Sequence, residues 1–266
     1  MTHGALALSP LALLKALRPL QWMKNGLVFL PFIFAVNVAW STDDLGSVPE
    51  LLLRLLLVAL AFCALSSAVY LFNDLMDRSG DRQHPVKRNR PIASGKVSVP
   101  VATTVMVLLA AAGLVVMTLV EPELGVWAGL YALINIGYSL GLKQVVLLDA
   151  FAVTSGYVIR AAAGAVAIDV SPSPWLYVTT GAGALFIVLG RRFAEVRLAG
   201  DVAGDQRSVL KDYSGLFINQ LLILSAAAAW LSYTLYTVEA TNLPDNNTML
   251  FTLPLVTFGL FRYLFY

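Results

Sequence analysis

The sequence predicts an all-α protein built as a polytopic bundle of transmembrane helices, and three observations carry that prediction. Of its 266 residues, 58% are hydrophobic and only 13% are charged, whereas soluble domains carry about 25% charged residues. Apolar segments of about 20 residues, the length that crosses a bilayer as a helix, recur along the whole chain. The polar segments between them differ in charge sign, as the connections of a multi-pass membrane protein do.

Eight spans are predicted, and we treat residues 1–266 as one transmembrane domain. The spans cover residues 25–41, 52–73, 98–119, 124–141, 146–168, 175–190, 215–238 and 248–265. Ahead of the first span there is no short apolar core followed by a small-residue cleavage site, so we expect no cleavable signal peptide. The single cysteine, Cys63, lies in an apolar run, which excludes a disulfide framework and a cysteine-based metal site.

The charges in the connections predict the orientation of the bundle. Segments 42–50, 120–123, 169–174 and 239–247 contain acidic residues and no Lys or Arg, and the connections on the other side are basic. The positive-inside rule therefore places the basic side in the cytoplasm, with the N-terminus and the site described below. Two of the basic connections, 74–97 and 191–214, are long and polar, and long loops usually persist because they have a function. We expect a protein of the plasma membrane.

The first long connection opens with a polar cluster. Asn73, Asp77 and Asp81 are spaced i, i+4 and i+8, so on a continuing helix they share one face, about 6 Å apart per step. Oxygen ligands of this kind suit Mg²⁺, which also keeps waters and binds substrate phosphates. Asp74 points elsewhere and receives a secondary metal role. The alternative is a solvated acidic loop, but carboxylates at a helix C-terminus are destabilising unless a cation offsets them.

Cations follow these carboxylates within a shaped loop. Lys87 and Arg90 can reach phosphate oxygens, while Pro85, Pro91 and Gly95 fix turns in the backbone. Carboxylates for a metal followed by cations for phosphate are what a diphosphate leaving group requires.

The run from Asn73 to Gly95 has the pattern NDxxDxxxD followed by KRxRPxxxG. It resembles the first aspartate-rich motif of the UbiA intramembrane prenyltransferase superfamily. This resemblance implies a bundle of about nine transmembrane helices, of which eight are visible here. It also implies a central cavity open to the cytoplasmic side, Mg²⁺ as cofactor, and transfer chemistry on a lipid substrate.

A second polar cluster closes the sixth span. Glu195 is its best-placed candidate metal ligand, although an i, i+4 ion pair with Arg191 is the plainer interpretation. Arg191 and Arg192 are candidates for substrate binding. The resemblance implies a second aspartate motif facing the first, but whether Asp201 and Asp205 contact metal is left open.

Arg160 lies in the middle of the fifth span, where an arginine costs at least about 2.5 kcal/mol, so we expect it to face a wet cavity or an anion. Lys24 is either an interfacial anchor or a phosphate ligand, and Lys143 either binds a lipid phosphate or extends to the headgroups. Tyr70 completes the candidates for substrate binding. We expect Asp77, Asp81, Lys87 and Arg160 to take part in catalysis.

The donor is not decided by the diphosphate chemistry alone, because prenyl and phosphoribosyl diphosphates share it. The surplus of cations suits a donor with an additional 5-phosphate and an acceptor that is itself a phosphate. The stretches RPLQWMKN, GLKQVVLLDAFAVTSGYVIRAAAGA, LGRRFAEVRLAGD and VLKDYS resemble the branch that moves 5-phosphoribose from phosphoribosyl pyrophosphate to decaprenyl phosphate. That branch serves cell-wall arabinan and arabinogalactan synthesis.

Two rival functions remain at this point. One is a conventional UbiA prenyltransferase with an aromatic or quinone-precursor acceptor. The other is a transporter, which is disfavoured because the sequence has neither inverted repeats nor interrupted helices at the midplane. The expected partners are phosphoribosyl pyrophosphate, a polyprenyl phosphate and the lipid bilayer, with no nucleic acid. Self-association into a homo-oligomer and the prenyl chain length are left open.

Overall fold

The computed structural model describes residues 9–171, 174–199, 213–239 and 248–265, and the regular elements over these ranges are helices. The α-helices are α1 (Pro10–Leu17), α2 (Leu30–Phe34), α3 (Val48–Met76), α4 (Arg78–Gln83), α5 (Val99–Val120), α6 (Pro122–Leu140), α7 (Leu148–Ala167), α8 (Pro174–Ala199), α9 (Gly215–Glu239) and α10 (Leu253–Phe265). Shorter 3₁₀ stretches cover Pro19–Phe29, Lys87–Asn89, Leu142–Gln144 and Thr248–Thr252. The all-α class is confirmed.

Within the described ranges, five helical stretches are long and apolar enough to cross a membrane. They are α3, α5, α7, α9 and the stretch Thr248–Phe265. Leu108, Val115 and Leu119 on α5 are exposed, as expected of side chains that contact lipid acyl chains. The chain is therefore an integral membrane protein.

The other three predicted spans are not among these five stretches. Residues 25–41 contain the end of the 3₁₀ stretch Pro19–Phe29 and the short α2 in place of one long helix. Residues 124–141 correspond to α6, and residues 175–190 to the first part of α8. Because α8 continues to Ala199, Arg191, Arg192 and Glu195 lie on a helix.

Glycines allow two close helix contacts that shape the bundle. A Cβ at Gly113 of α5 would lie 2.6 Å from Cγ of Leu65 on α3, so only glycine permits this approach. A Cβ at Gly164 of α7 would overlap the backbone carbonyl of Val28 in the 3₁₀ stretch Pro19–Phe29. This second contact holds that stretch directly against α7, on the face that also carries Arg160 one turn earlier.

The helical hydrogen bonding of α3 continues across its boundary with α4. The backbone N–H of Asp77 donates to the carbonyl of Asn73 at 2.9 Å, and that of Asp81 donates to the carbonyl of Asp77 at 2.8 Å. The three side chains therefore share one helical face, as their spacing predicts. This face opens into the interior of the bundle.

Candidate active site

A cavity of about 990 Å³ lies between α3, α4, α6, α7, α8 and the 3₁₀ stretch Pro19–Phe29. The predicted site residues that line it are Lys24, Tyr70, Asn73, Asp77, Asp81, Lys87, Arg90, Lys143, Arg160, Arg191, Arg192 and Glu195. Of the predicted set, Asp74 alone does not line the cavity. Residues from both long polar segments and from the membrane-spanning α7 thus meet around one space.

The acidic side chains on this wall are held by hydrogen bonds and ion pairs. Lys143 donates to Oδ1 of Asp77 at 2.6 Å, and Nδ2 of Asn73 donates to its Oδ2 at 3.0 Å. Nη1 of Arg90 donates to Oδ2 of Asp81 at 2.8 Å. The destabilising charge of carboxylates at the end of α3 is offset here by two cations.

The donor set of this wall fits magnesium. Asn73, Asp77 and Asp81 offer only oxygen ligands from one helical face, and Asp77 is one-third exposed to the cavity. Among the described residues, no three acidic, histidine or cysteine side chains are gathered into a complete metal cage. Mg²⁺ commonly binds through one or two carboxylates together with waters and substrate phosphates. The metal would therefore bind here together with a phosphorylated ligand.

Asp74 lies on the other side of α3, in an ion-pair cluster. Its side chain is 3% exposed, and Oδ1 accepts from Arg18 at 2.7 Å and from Arg90 at 3.2 Å. It borders a second, smaller pocket of about 470 Å³, which Lys15 also lines. Asp74 thus contacts the basic residue that also binds Asp81, and it lies apart from the predicted metal ligands on the cavity wall.

Arg160 is buried at the cavity wall, with 5% of its surface exposed. Its Nε donates to Oδ1 of Asn25 at 2.7 Å, its Nη2 donates to the hydroxyl of Tyr131 at 3.0 Å, and its Nη1 donates to the carbonyl of Gly156. The guanidinium also lies 5.4 Å from the ring centre of Phe62. All three acceptors are neutral, so the hydrogen bonds orient the positive charge without cancelling it.

The second polar cluster is organised around the buried carboxylate of Asp149. Arg192 donates from Nε to Asp149 and from Nη1 to Glu195, both at 2.8 Å, and the predicted alternative pair of Glu195 with Arg191 is absent from the described contacts. The hydroxyl of Tyr213 donates to Asp149 at 2.8 Å and accepts from the backbone N–H of Leu147 at 2.9 Å. Asp201 and Asp205 lie outside the described residues.

Tyr213 lies just ahead of α9 and remains a donor over the physiological pH range. Burial, followed by the interaction with Asp149, raises the pKa of Tyr213 to about 12. The start of α7, the end of α8 and the start of α9 are therefore held together by one hydrogen-bonded group.

Lys24 lies ahead of the first predicted span, with its ammonium group 5.9 Å from the ring centre of Tyr157. Burial, assisted by the charges of Arg191, Arg160 and Arg18, lowers the pKa of Lys24 to about 8. The cations on this side of the cavity are close enough to repel one another.

Several residues of the site were not assigned a site role from the sequence. They are Arg18, Gln21, Asn25, Tyr131, Asn135, Tyr138, Ser139 and Tyr157. Tyr131, Asn135, Tyr138 and Ser139 recur at helical spacing on α6, and a polar stripe of that kind in an apolar span marks the face toward the cavity. The sequence gives little indication of the role of Asn25, because that role depends on how closely α7 approaches the 3₁₀ stretch Pro19–Phe29.

Comparison with known proteins decides the family. Residues 28–209 match the model of the UbiA prenyltransferase family. The chain belongs to that family. A UbiA homologue from Archaeoglobus fulgidus bound to GPP and Mg²⁺ superposes with a TM-score of 0.76, over 96% of this chain and 86% of that chain. At 18% identity this likeness shows a shared UbiA fold alone.

Closer similarity is found to two mycobacterial members of the UbiA family. The decaprenyl-phosphate phosphoribosyltransferase of Mycolicibacterium smegmatis is 35% identical over 237 residues, which cover 89% of this chain and 73% of the relative. That of Mycobacterium tuberculosis is 36% identical over 225 residues, which cover 85% of this chain and 73% of the relative.

Proposed function

We propose that this UbiA-family enzyme transfers 5-phosphoribose from phosphoribosyl pyrophosphate to a polyprenyl phosphate and releases diphosphate. The proposed acceptor is decaprenyl phosphate. The observation that carries the proposal is the identity of 35–36% to two decaprenyl-phosphate phosphoribosyltransferases over 85–89% of this chain. The surplus of cations around the cavity supports it, because both proposed reactants carry phosphate groups in addition to the diphosphate.

We also propose how the enzyme lies in the membrane. Eight spans cross the plasma membrane, with α6, the first part of α8 and the segment of residues 25–41 joining the five apolar stretches. The cavity opens to the cytoplasm, where the soluble donor is available. The positive-inside pattern supports this orientation, since α4 and the residues around Lys87–Asn89 lie on the basic side. The product would serve the synthesis of cell-wall arabinan precursors.

The donor diphosphate would bind over the first polar cluster. Asn73, Asp77 and Asp81 would hold Mg²⁺, with Glu195 contributing from the opposite wall. When bound, magnesium neutralises the charge that grows on the departing diphosphate. Lys143 and Arg90 would then be released from their carboxylates and would join Lys87 on the phosphate oxygens.

The transfer itself needs few protein groups. An oxygen of the lipid phosphate attacks the anomeric carbon as the bond from that carbon to the diphosphate oxygen breaks. The nucleophile is already anionic, so no general base is required. Positioning and charge stabilisation by the cavity side chains would supply most of the rate.

A transfer assay tests the proposal. Membranes containing the protein are incubated with phosphoribosyl pyrophosphate labelled in the ribose, Mg²⁺ and decaprenyl phosphate, and the lipid phase is extracted. We expect label in the lipid phase, and its loss in Asp77→Ala. The rival function is transfer of a prenyl group from a prenyl diphosphate to an aromatic or quinone-precursor acceptor. Prenyl transfer from a labelled prenyl diphosphate, with no ribose label in the lipid, would overturn the phosphoribosyl assignment.

A further inference from the structure

Two groups of cations on the cavity wall differ in how they are paired. In the first group every cation is bound to a carboxylate on the wall. These ion pairs are Lys143–Asp77 at 2.6 Å, Arg90–Asp81 at 2.8 Å and Arg192–Glu195 at 2.8 Å. This part of the wall is close to neutral, so it offers little net attraction to a phosphate group that arrives without a metal ion.

The second group consists of Lys24, Arg160 and Arg191, which line the same cavity. Over the ranges that the structure describes, none of these three side chains forms an ion pair with a carboxylate. The charges of Arg191 and Arg160 both help to lower the pKa of Lys24, so Lys24 lies within electrostatic reach of both arginines. Aromatic rings and not carboxylates face Lys24 and Arg160, so their positive charges are not neutralised by an anion within the described residues.

Arg160 contributes a positive charge that is fixed in place, because three hydrogen bonds hold its guanidinium. Neutral acceptors on three different elements fix its guanidinium, namely Asn25, Tyr131 and Gly156. A buried arginine oriented by neutral groups, at the wall of a wet cavity, is arranged to receive an anion. Lys24 and Arg191 come from other elements and converge on the same space.

We propose that Lys24, Arg160 and Arg191 form a second anion subsite, which binds a phosphate monoester without a metal ion. The metal-bound diphosphate would lie over Asn73, Asp77 and Asp81. The inference rests on the proposed function, which supplies two phosphate monoesters: the 5-phosphate of the donor and the phosphate of the lipid acceptor. Both share the chemistry that three cations recognise, including the bidentate contacts that arginine makes.

Binding measured in the absence of metal tests this subsite. The purified full chain in detergent, with EDTA present, is titrated calorimetrically with ribose 5-phosphate and, separately, with farnesyl phosphate; farnesol controls for apolar binding. We expect ribose 5-phosphate to bind, or farnesyl phosphate to bind more tightly than farnesol. The probe that binds identifies which monoester the subsite takes, and binding of both shows that the two phosphates compete for it.

Charge-matched variants locate the binding. Lys24→Gln should weaken binding of the phosphate probe at least about tenfold, the loss of one charge-assisted hydrogen bond, while Lys24→Arg stays within about threefold of wild type. Arg54→Gln removes a positive charge on α3 outside the cavity, where Arg54 lies 4.0 Å from Glu121, and should leave metal-free binding within about threefold. Thermal unfolding of each variant verifies that it is folded.

Three results would overturn the subsite: no phosphate-dependent binding in EDTA, no effect of Lys24→Gln, or an equal loss in Arg54→Gln. The transfer assay on the same preparation separates this failure from that of the proposed function. Ribose transfer without metal-free binding rejects the subsite alone, whereas metal-free binding without ribose transfer rejects the phosphoribosyl donor alone.

Discussion

At the scale of single residues, the electrostatic potential in the cavity depends on which charged side chains are paired and which are not. Arg160 carries its charge among neutral partners, whereas Asp77 and Asp81 each accept from a cation. The residue types were readable from the sequence, because polar groups in apolar spans are scarce and conspicuous. Their partners were not, since an ion pair depends on which helix faces which. Glu195 therefore binds Arg192 and not Arg191.

Lys24 gives the enzyme a predicted alkaline limit. Its pKa is lowered to about 8, so the side chain is charged below that pH and loses its charge as the pH rises through it. If the charge binds substrate phosphate, kcat/KM should fall about tenfold between pH 7.5 and pH 9. The measurement is the initial rate at limiting donor concentration. Lys24→Arg keeps its charge over this range, so its profile should stay flat; a fall equal to that of wild type would contradict the assignment.

We expect Asp74 to hold Arg18 and Arg90 in place through ion pairs, and not to bind the metal ion. Asp74→Asn removes the carboxylate partner of Arg18 and one of the two carboxylate partners of Arg90, and should cost about 1–3 kcal/mol of stability. It should also raise KM for the donor, because Arg90 is then held by Asp81 alone. The magnesium concentration that gives half-maximal activity should stay unchanged, whereas in Asp77→Asn it should rise. An equal rise in the half-maximal magnesium concentration in Asp74→Asn would show that Asp74 is a metal ligand.

At the scale of helices, the positions of most apolar segments follow from the sequence, and their internal form does not. The predicted first span has the composition of a membrane segment, yet it contains a 3₁₀ stretch and the short α2. The 3₁₀ stretch lies where Gly164 lets α7 come directly against the carbonyl of Val28. A pattern of apolar residues records burial but not how closely a neighbouring helix approaches.

Gly164→Ala tests whether this close contact positions Arg160. The added methyl would overlap the Val28 carbonyl and push the 3₁₀ stretch away, which separates Asn25 from Arg160. Overpacking of this kind costs about 1–3 kcal/mol, and transfer activity should fall at least about tenfold.

Gly183→Ala on α8 is the matched control, because a Cβ there meets nothing within 4 Å. It should leave activity unchanged and stabilise the protein by up to about 1 kcal/mol. Thermal unfolding in detergent and the transfer assay measure both variants. Equal transfer activities of Gly164→Ala and Gly183→Ala would show that the contact at Gly164 has no part in positioning Arg160.

At the scale of the whole molecule, the orientation of the bundle can be tested without any substrate. Asp43 and Arg88 are both exposed, and the positive-inside rule places them on opposite sides of the membrane. In a Cys63→Ser background, Asp43→Cys should react with a membrane-impermeant maleimide in intact cells. Arg88→Cys should react only after the membrane is permeabilised. The reverse labelling pattern would place the cavity on the outer side.

The ion pairs of Asp77 and Asp81 have a consequence for the order of events in the cell. A free magnesium ion would have to displace Lys143 and Arg90, which would leave Lys143 unpaired and Arg90 with Asp74 alone, so it gains little by binding alone. A free diphosphate would meet carboxylates. Only the preformed magnesium–donor complex satisfies all four side chains in one exchange of partners. The enzyme would therefore treat that complex as a single substrate, and donor without magnesium would not serve in its place.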